Sequence, residues 1–433
     1  MRRLALVGAF AVALVLPSAA LAHVTLDSAV PAEQSRVERP PTEIRLRFNQ
    51  PVTITSNAVE VLAPDGTLLS GTPKLEDDGL LVVAPVSRLV RGQGYTVRWR
   101  VIGNDGHSPA GVFTFGVGVA APPPTDAVGA SGTTWRDDVA RWALFGALAL
   151  LIGPLAVRLL LLRGVPDLLE RRLHLVGVVS AFLVIDVGIV AFVLRASNAL
   201  QLPLADLPYG DLQPFAEKTR FGVAFLVMTV GFGVVAALLL VSWIFDRLEL
   251  RWPALALSLL LVSGLSLSGH QATEPNSSWL SEVADWLHLV AASIWVGGVA
   301  TLAFLVWPLA PALRRCAFLG FARLAILLVG AMVLAGGYLA LVRLPELSDL
   351  WDTPYGRFLL LKIGIVGLAL TWGAVHHLFV RPRLEAGDDV DVGPSLVGET
   401  AVAFAVLLAA AMLTNVAPPP VDDPQPAVAR SAR

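Results

Sequence analysis

Two periodicities divide the chain. From residue 23 to about 119, apolar positions alternate with polar ones in short runs. In "EIRLRFNQPV", Ile44, Leu46 and Phe48 alternate with Arg45 and Arg47. "NAVEVLAPDGTLLSG" sets a Pro-Asp-Gly turn between two short strands, and "GLLVVAPV", "GYTVRWRVIG" and "GVFTFGVGV" follow. Period-two runs cut by regular turn signals predict a small all-β antiparallel sandwich over 23–119. The next stretch, "AAPPPTDAVGASGTT", is rich in Pro, Gly and small residues and has no packing pattern, so 120–137 reads as a linker. Beyond it the alternation disappears. Eight apolar segments follow at about 139–161, 173–194, 221–245, 252–270, 281–307, 320–343, 357–380 and 397–416, each near the roughly 20 residues that a bilayer core requires. They predict an all-α polytopic membrane domain over 138–417, with 418–433 as a disordered tail.

Composition sharpens this division. Of the 433 residues, 55% are hydrophobic and 15% are charged, against about 25% charged in soluble domains. The net charge of −2 gives no support for nucleic-acid binding. The single cysteine, Cys316, excludes an intrachain disulfide or a Cys-rich metal site. The four methionines form no tract. Any metal site must therefore be built mainly from His and carboxylates. No "GxxxxGK[ST]" loop and no Cys-Pro-Cys are present, so the sequence points to no ATP-driven pump.

The first residues have the form of a secretory signal. Arg2 and Arg3 are the positive start, Leu4 to Leu16 a short apolar core, and Ala20-Leu21-Ala22 a small-x-small cleavage site. A cut after Ala22 exposes His23 as the mature N-terminus, where one residue offers an amine and an imidazole. With the β domain secreted, the first span runs outside to inside. The inner loops then hold Arg163, Arg171, Arg172, Arg247, Arg251, Arg314, Arg315, Arg323, Arg381 and Arg383. The outer ones hold Arg195, Lys218, Arg220, Arg343 and Arg357. This bias predicts a multi-pass protein of the plasma (inner) membrane with both chain ends extracytoplasmic.

The stretch "VIGNDGHSPAGVFTFGV" carries Asp105 and His107 on either side of a glycine. A tight turn there can aim both side chains at one point. With His23 they offer an amine, two imidazoles and a carboxylate, a nitrogen and oxygen set suited to Cu(II). Taken alone, "DGH" reads as an ordinary turn, and the His at the mature N-terminus shifts the reading to a metal site.

The leading "HVTLDSAVPAE" and the later "NDGHSPAGVFTFGV" resemble the CopC copper-binding domain. That resemblance implies an immunoglobulin-like β-sandwich and Cu(II) held by His23, Asp105 and His107. It also implies that the Met-rich Cu(I) site of some members is absent, since 23–119 holds no Met. The membrane part resembles CopD, fused to CopC as in YcnJ-like proteins, through "SGHQATEPNSSWLSEVADWLHLVAASIWVGGVATL", "FARLAILLVGAMVLAGGYLALVRL" and "LWDTPYGRFLLLKIGIVGLAL". This implies copper handling, in particular copper movement into the cytoplasm, with copper as Cu(I) or Cu(II) in the membrane.

Intramembrane ionisable groups are functional candidates by default. His270 ends the fourth span on the outer side, and Asp285 and His288 lie one turn apart near the outer end of the fifth. Asp186 stands mid-membrane in the second span, either as a cation way-station or paired with Lys362 or an Arg. His376 and His377 end the seventh span on the inner side, where a metal exit competes with an interfacial pair. His174 is interfacial. Met228 and Met332 are either soft ligands or packing, and "IWVGG" reads first as a close helix contact. The partners expected are copper and the lipid bilayer, with no ATP and no nucleic acid, and a homo-oligomer is left open. No catalytic residue is assigned. The competing readings are a histidine-brace copper oxidase, disfavoured by Asp105, and a haem-binding membrane electron carrier.

Overall fold

The computed structural model describes residues 24–104, 106, 108–121, 135–200, 212, 216–217, 219–268, 278–344, 346–414 and 416. The expected signal peptide, most of the linker and all of the C-terminal tail lie outside the described residues.

Among the described residues eight strands come first: β1 Leu26–Val30, β2 Ser35–Val37, β3 Glu43–Phe48, β4 Val59–Leu62, β5 Lys74–Glu76, β6 Leu81–Pro85, β7 Gln93–Arg100 and β8 Ala110–Val117. They form two four-stranded sheets, ordered β1-β3-β6-β5 and β2-β8-β7-β4. The alternation in β3 sets its faces. Ile44, Leu46 and Phe48 are buried, while Arg45 and Arg47 point outward and pair with Glu76 (3.3 Å) and Asp77 (2.7 Å). Phe48 shares the core between the sheets with Tyr95, Val97 and Phe115, and its ring meets Trp99 edge-on. The Tyr95 hydroxyl donates to the carbonyl of Val90 (3.1 Å) and accepts from its amide (2.7 Å). This tyrosine corner pins the loop before β7, as in immunoglobulin-like sandwiches. One pairing departs from the antiparallel expectation: β2 runs parallel to β8. The chain reaches β2 by crossing from the other sheet and not through a tight hairpin, and a tight hairpin forces antiparallel pairing.

Among the described residues, eight helices long and apolar enough to cross a membrane follow: α1 Trp135–Leu161, α2 Asp167–Ser197, α3 Phe221–Ile244, α4 Leu248–Ser266, α5 Trp279–Leu309, α6 Pro311–Arg343, α7 Pro354–Ala386 and α8 Gly393–Leu413. The chain is a multi-span membrane protein. Helices α1 and α5 are the central pair, with 72% and 78% of their apolar windows buried against 11–44% for the others. Glycine sets their contact. A Cβ on Gly297 would lie 1.8 Å from the carbonyl oxygen of Ala149, and one on Gly153 would lie 2.2 Å from the carbonyl carbon of Gly297. The "GG" of the fifth span is thus a close backbone approach.

Helix α4 differs from the unbroken segment expected at 252–270. Its regular helix stops at Leu261 and resumes at Ser263–Ser268. Ser263 turns its hydroxyl back onto the carbonyl of Leu260 (2.6 Å), a Ser-Gly device that bends helices. Gly264 then lies against the Met228 side chain.

The β domain sits on the bundle through the loop between β7 and β8. The amide of Gly106 donates to the carbonyl of Gly103 (2.9 Å), closing a turn in which Gly106 has φ +75°. The carbonyl of Asn104 accepts from the amide of Phe221 (3.2 Å). Ile102 packs with Phe192, Ala196, Phe221 and Phe225 at the ends of α2 and α3. Glycine is required at 106 twice: for its positive φ, and because a Cβ there would lie 2.8 Å from the Phe221 Cβ.

Candidate functional site

His23, Asp105, His107 and His270 lie outside the described residues. Ile102, Asn104 and Gly106, which flank or separate Asp105 and His107 in sequence, form the seat of the β domain on α2 and α3.

Within the bundle, α5 carries its ionisable residues near the β-domain end. Asp285 is buried and His288 half-buried. The ring of His288 enters α6, where its Nδ1 lies 3.1 Å from the carbonyl oxygen of Met332. A carbonyl only accepts, so the proton is assigned to Nδ1 and the lone pair to Nε2. Among the described residues Nε2 has no hydrogen-bond partner. A second group that fixes the tautomer and aims the free nitrogen is what a metal-ligating imidazole needs. Gly336 makes room for the ring: a Cβ there would lie 3.0 Å from Cε1. Lys362 on α7 interacts electrostatically with Asp285 and with Arg343. Arg343 in turn reaches the Tyr355 hydroxyl at 3.4 Å.

Other expected positions are not brought to this place. Asp186 lies on the outward surface of α2, among exposed Phe182, Leu183, Ile189 and Val190. Met228 packs in an apolar cluster, and Met332 meets His288 through its backbone and not its sulfur. His377 is exposed, with Nδ1 3.5 Å from Arg381 Nη1. Among the described residues no three His, Cys, Asp or Glu side chains converge tightly enough to hold a metal.

His376 is part of a network that its sequence neighbours do not announce. Its Nδ1 lies 3.0 Å from Glu399 Oε2, and its Nε2 lies 2.7 Å from Ser395 Oγ. The indole of Trp372 donates to the same Oγ (3.0 Å), and Phe318 meets the imidazole edge-on. Both nitrogens are engaged, so this histidine ties α7 to α8 and is not an open ligand. A lone Glu in the apolar eighth span was the available signal for Glu399. Its partner lies 23 positions away and belongs to another helix.

Three family matches cover most of the chain. The CopC domain matches residues 26–118, the Copper resistance protein D-like N-terminal domain 134–279, and Copper resistance protein D 315–413. The chain belongs to the CopC–CopD fusion family. Its CopC part is the sandwich and its CopD part the bundle. Over 443 aligned residues it is 27% identical to the copper transport protein CutJ of Bacillus subtilis, covering 95% of this chain and 77% of that protein. Copper resistance protein D of Pseudomonas syringae pv. tomato is 26% identical over 57% of this chain and 82% of its own length. The crystal structure of CopC from Methylosinus trichosporium OB3b is 28% identical and covers 22% of this chain and 93% of that one, with a TM-score of 0.20.

Proposed function

We propose that the CopC part captures Cu(II) with His23, Asp105 and His107, and that the CopD part takes copper across the membrane, inward. The observation that carries this reading is the seat of the β domain. The turn from Gly103 to Gly106 presses on the ends of α2 and α3, so a metal held by that turn is held at the mouth of the bundle. His288 supplies the next step. Its Nε2 lone pair, unpartnered among the described residues, lies inside an apolar span, with Asp285 one turn away on the same helix. With His270 they form the acceptor, assembled when copper arrives. The basic residues gathered at the far end of the bundle support a cytoplasmic orientation for that end.

The test is cellular copper content in a deletion strain. Deletion lowers it, the intact gene restores it, and His23→Ala or His288→Ala does not. Higher copper in the deletion strain would mean export or sequestration and would sink the inward reading. Full restoration by His288→Ala would remove that residue from the path.

A further inference from the structure

The chain just after β3 is tied to two distant parts of the sequence at once. The ladder between β1 and β3 ends at the pair Leu26–Phe48. One step further out, Thr25 faces Asn49. In a regular antiparallel pair two such residues exchange both main-chain bonds. Here the amide of Asn49 donates to the carbonyl of Thr25 (3.2 Å), but the amide of Thr25 donates to the side-chain Oδ1 of Asn49 (3.0 Å). The carboxamide stands in for the main chain, which bends out of the strand at Asn49 and Gln50. Val24, next to Thr25, is 7% exposed and belongs to the core between the sheets. The chain is thus held down to the residue that follows His23.

Four positions after Asn49, the second tie begins. Thr53 and Ile102 exchange both main-chain bonds, at 2.9 Å and 2.8 Å. Ile102 leads into the turn that carries Asp105 and His107. The base of that loop is closed by the amide of Val101, which donates to the carbonyl of Pro109 (3.1 Å). Between the two ties, Val52 is buried and donates to the carbonyl of Gly79 (2.9 Å), so the stretch cannot slide. Four residues reach at most about 14 Å, and that bounds the separation of the two attachments. All these bonds but one join main-chain atoms, which nearly any residue supplies. The exception is the Asn49 carboxamide. Chain termini fray unless something ties them down. A site that needs a terminal ligand binds only in the fraction of molecules that have it in place.

We infer that Asn49 is a positioning residue for copper capture. Its carboxamide holds the strand that begins at the N-terminal ligand, at a set distance from the turn that bears the other two. Asn49 acts through Thr25 and needs no contact with the metal. The inference rests on the reading of His23, Asp105 and His107 as the Cu(II) ligands.

The experiment uses the full-length, correctly processed protein in detergent. Cu(II) affinity is measured by competition with a chelator, and the coordination by electron paramagnetic resonance. Asn49→Ala should weaken Cu(II) binding about tenfold, the effect of one lost hydrogen bond, and should broaden the copper signal into more than one species. Asn49→Asp keeps an acceptor oxygen and should retain wild-type affinity and spectrum. Thermal unfolding is followed in parallel. A lower Tm in Asn49→Ala with wild-type affinity and spectrum would make the residue structural only and overturn the inference. Equal weakening in Asn49→Asp would overturn it too, because the acceptor oxygen would then not matter. His23→Ala in the same assay separates the two readings. If it abolishes tight binding while Asn49→Ala changes nothing, the ligand set stands and this inference falls alone. If His23→Ala leaves the affinity intact, both fall. Should Asn49→Ala fail to fold, Asn49→Gln, which displaces the oxygen by one methylene, takes its place with the same expected loss.

Discussion

A histidine ring has two nitrogens, and the neighbour of one decides what the other can do. At His288 the carbonyl of Met332 takes Nδ1, and among the described residues Nε2 is left without a partner. At His376, Glu399 and Ser395 take both. The two residues are equally plain in the sequence, yet only the first is left with ligand character. Gly336→Ala would put a Cβ 3.0 Å from the His288 ring. Copper accumulation should fall while the purified protein keeps its Tm, and normal accumulation would show that the ring's position does not matter. His376→Phe leaves Glu399 buried without its imidazole, which costs about 3 kcal/mol in a buried pair, and should appear as a clear fall in Tm. His23→Ala should abolish tight Cu(II) binding by correctly processed protein in a competition titration. Unchanged affinity would take His23 out of the site.

At the scale of elements, the joints are as specific as the helices. Before α8, the Asp391 carboxylate accepts from the Trp307 indole (2.7 Å) and from the Gly393 amide (3.0 Å). These bonds, with Arg314 nearby, hold its carboxyl below the usual 3.8. One side chain thereby ties the end of α5 to the start of α8. A carboxylate that titrates lower folded than unfolded contributes fully above the ordinary carboxylate range, and loses that contribution as pH falls through the lowered value. Asp391→Ala should therefore lower Tm at pH 7, and the gap to wild type should close in strong acid. A gap that persists there would assign the effect to packing. At the centre, Gly297→Val would drive a side chain into the backbone of α1. Overpacking of this kind costs about 1–3 kcal/mol, read as lost thermal stability in detergent. The apolar runs and the "GG" were visible along the chain, but the partners of Trp307 and Gly297 were not, because each lies on a helix distant in sequence.

For the whole molecule, the topology rests on one charge bias and one seat. Cys316 offers a direct test, since it is the protein's single cysteine and is exposed at the start of α6, remote from the β domain. A membrane-impermeant maleimide should leave it unlabelled in intact cells and label it after permeabilisation. Labelling from outside would reverse the orientation. The two-part plan, the strand faces and the eight spans were legible because burial repeats with a short period, two along a strand and a continuous run across a bilayer. Those periods are local, so the chain alone determined them. The pairing of His376 with Glu399, the nitrogen of His288 that has no partner among the described residues and the outward face of Asp186 were decided only in the tertiary structure. Each depends on which helices pack together and by which rotation about their axes, and no window of sequence contains that information.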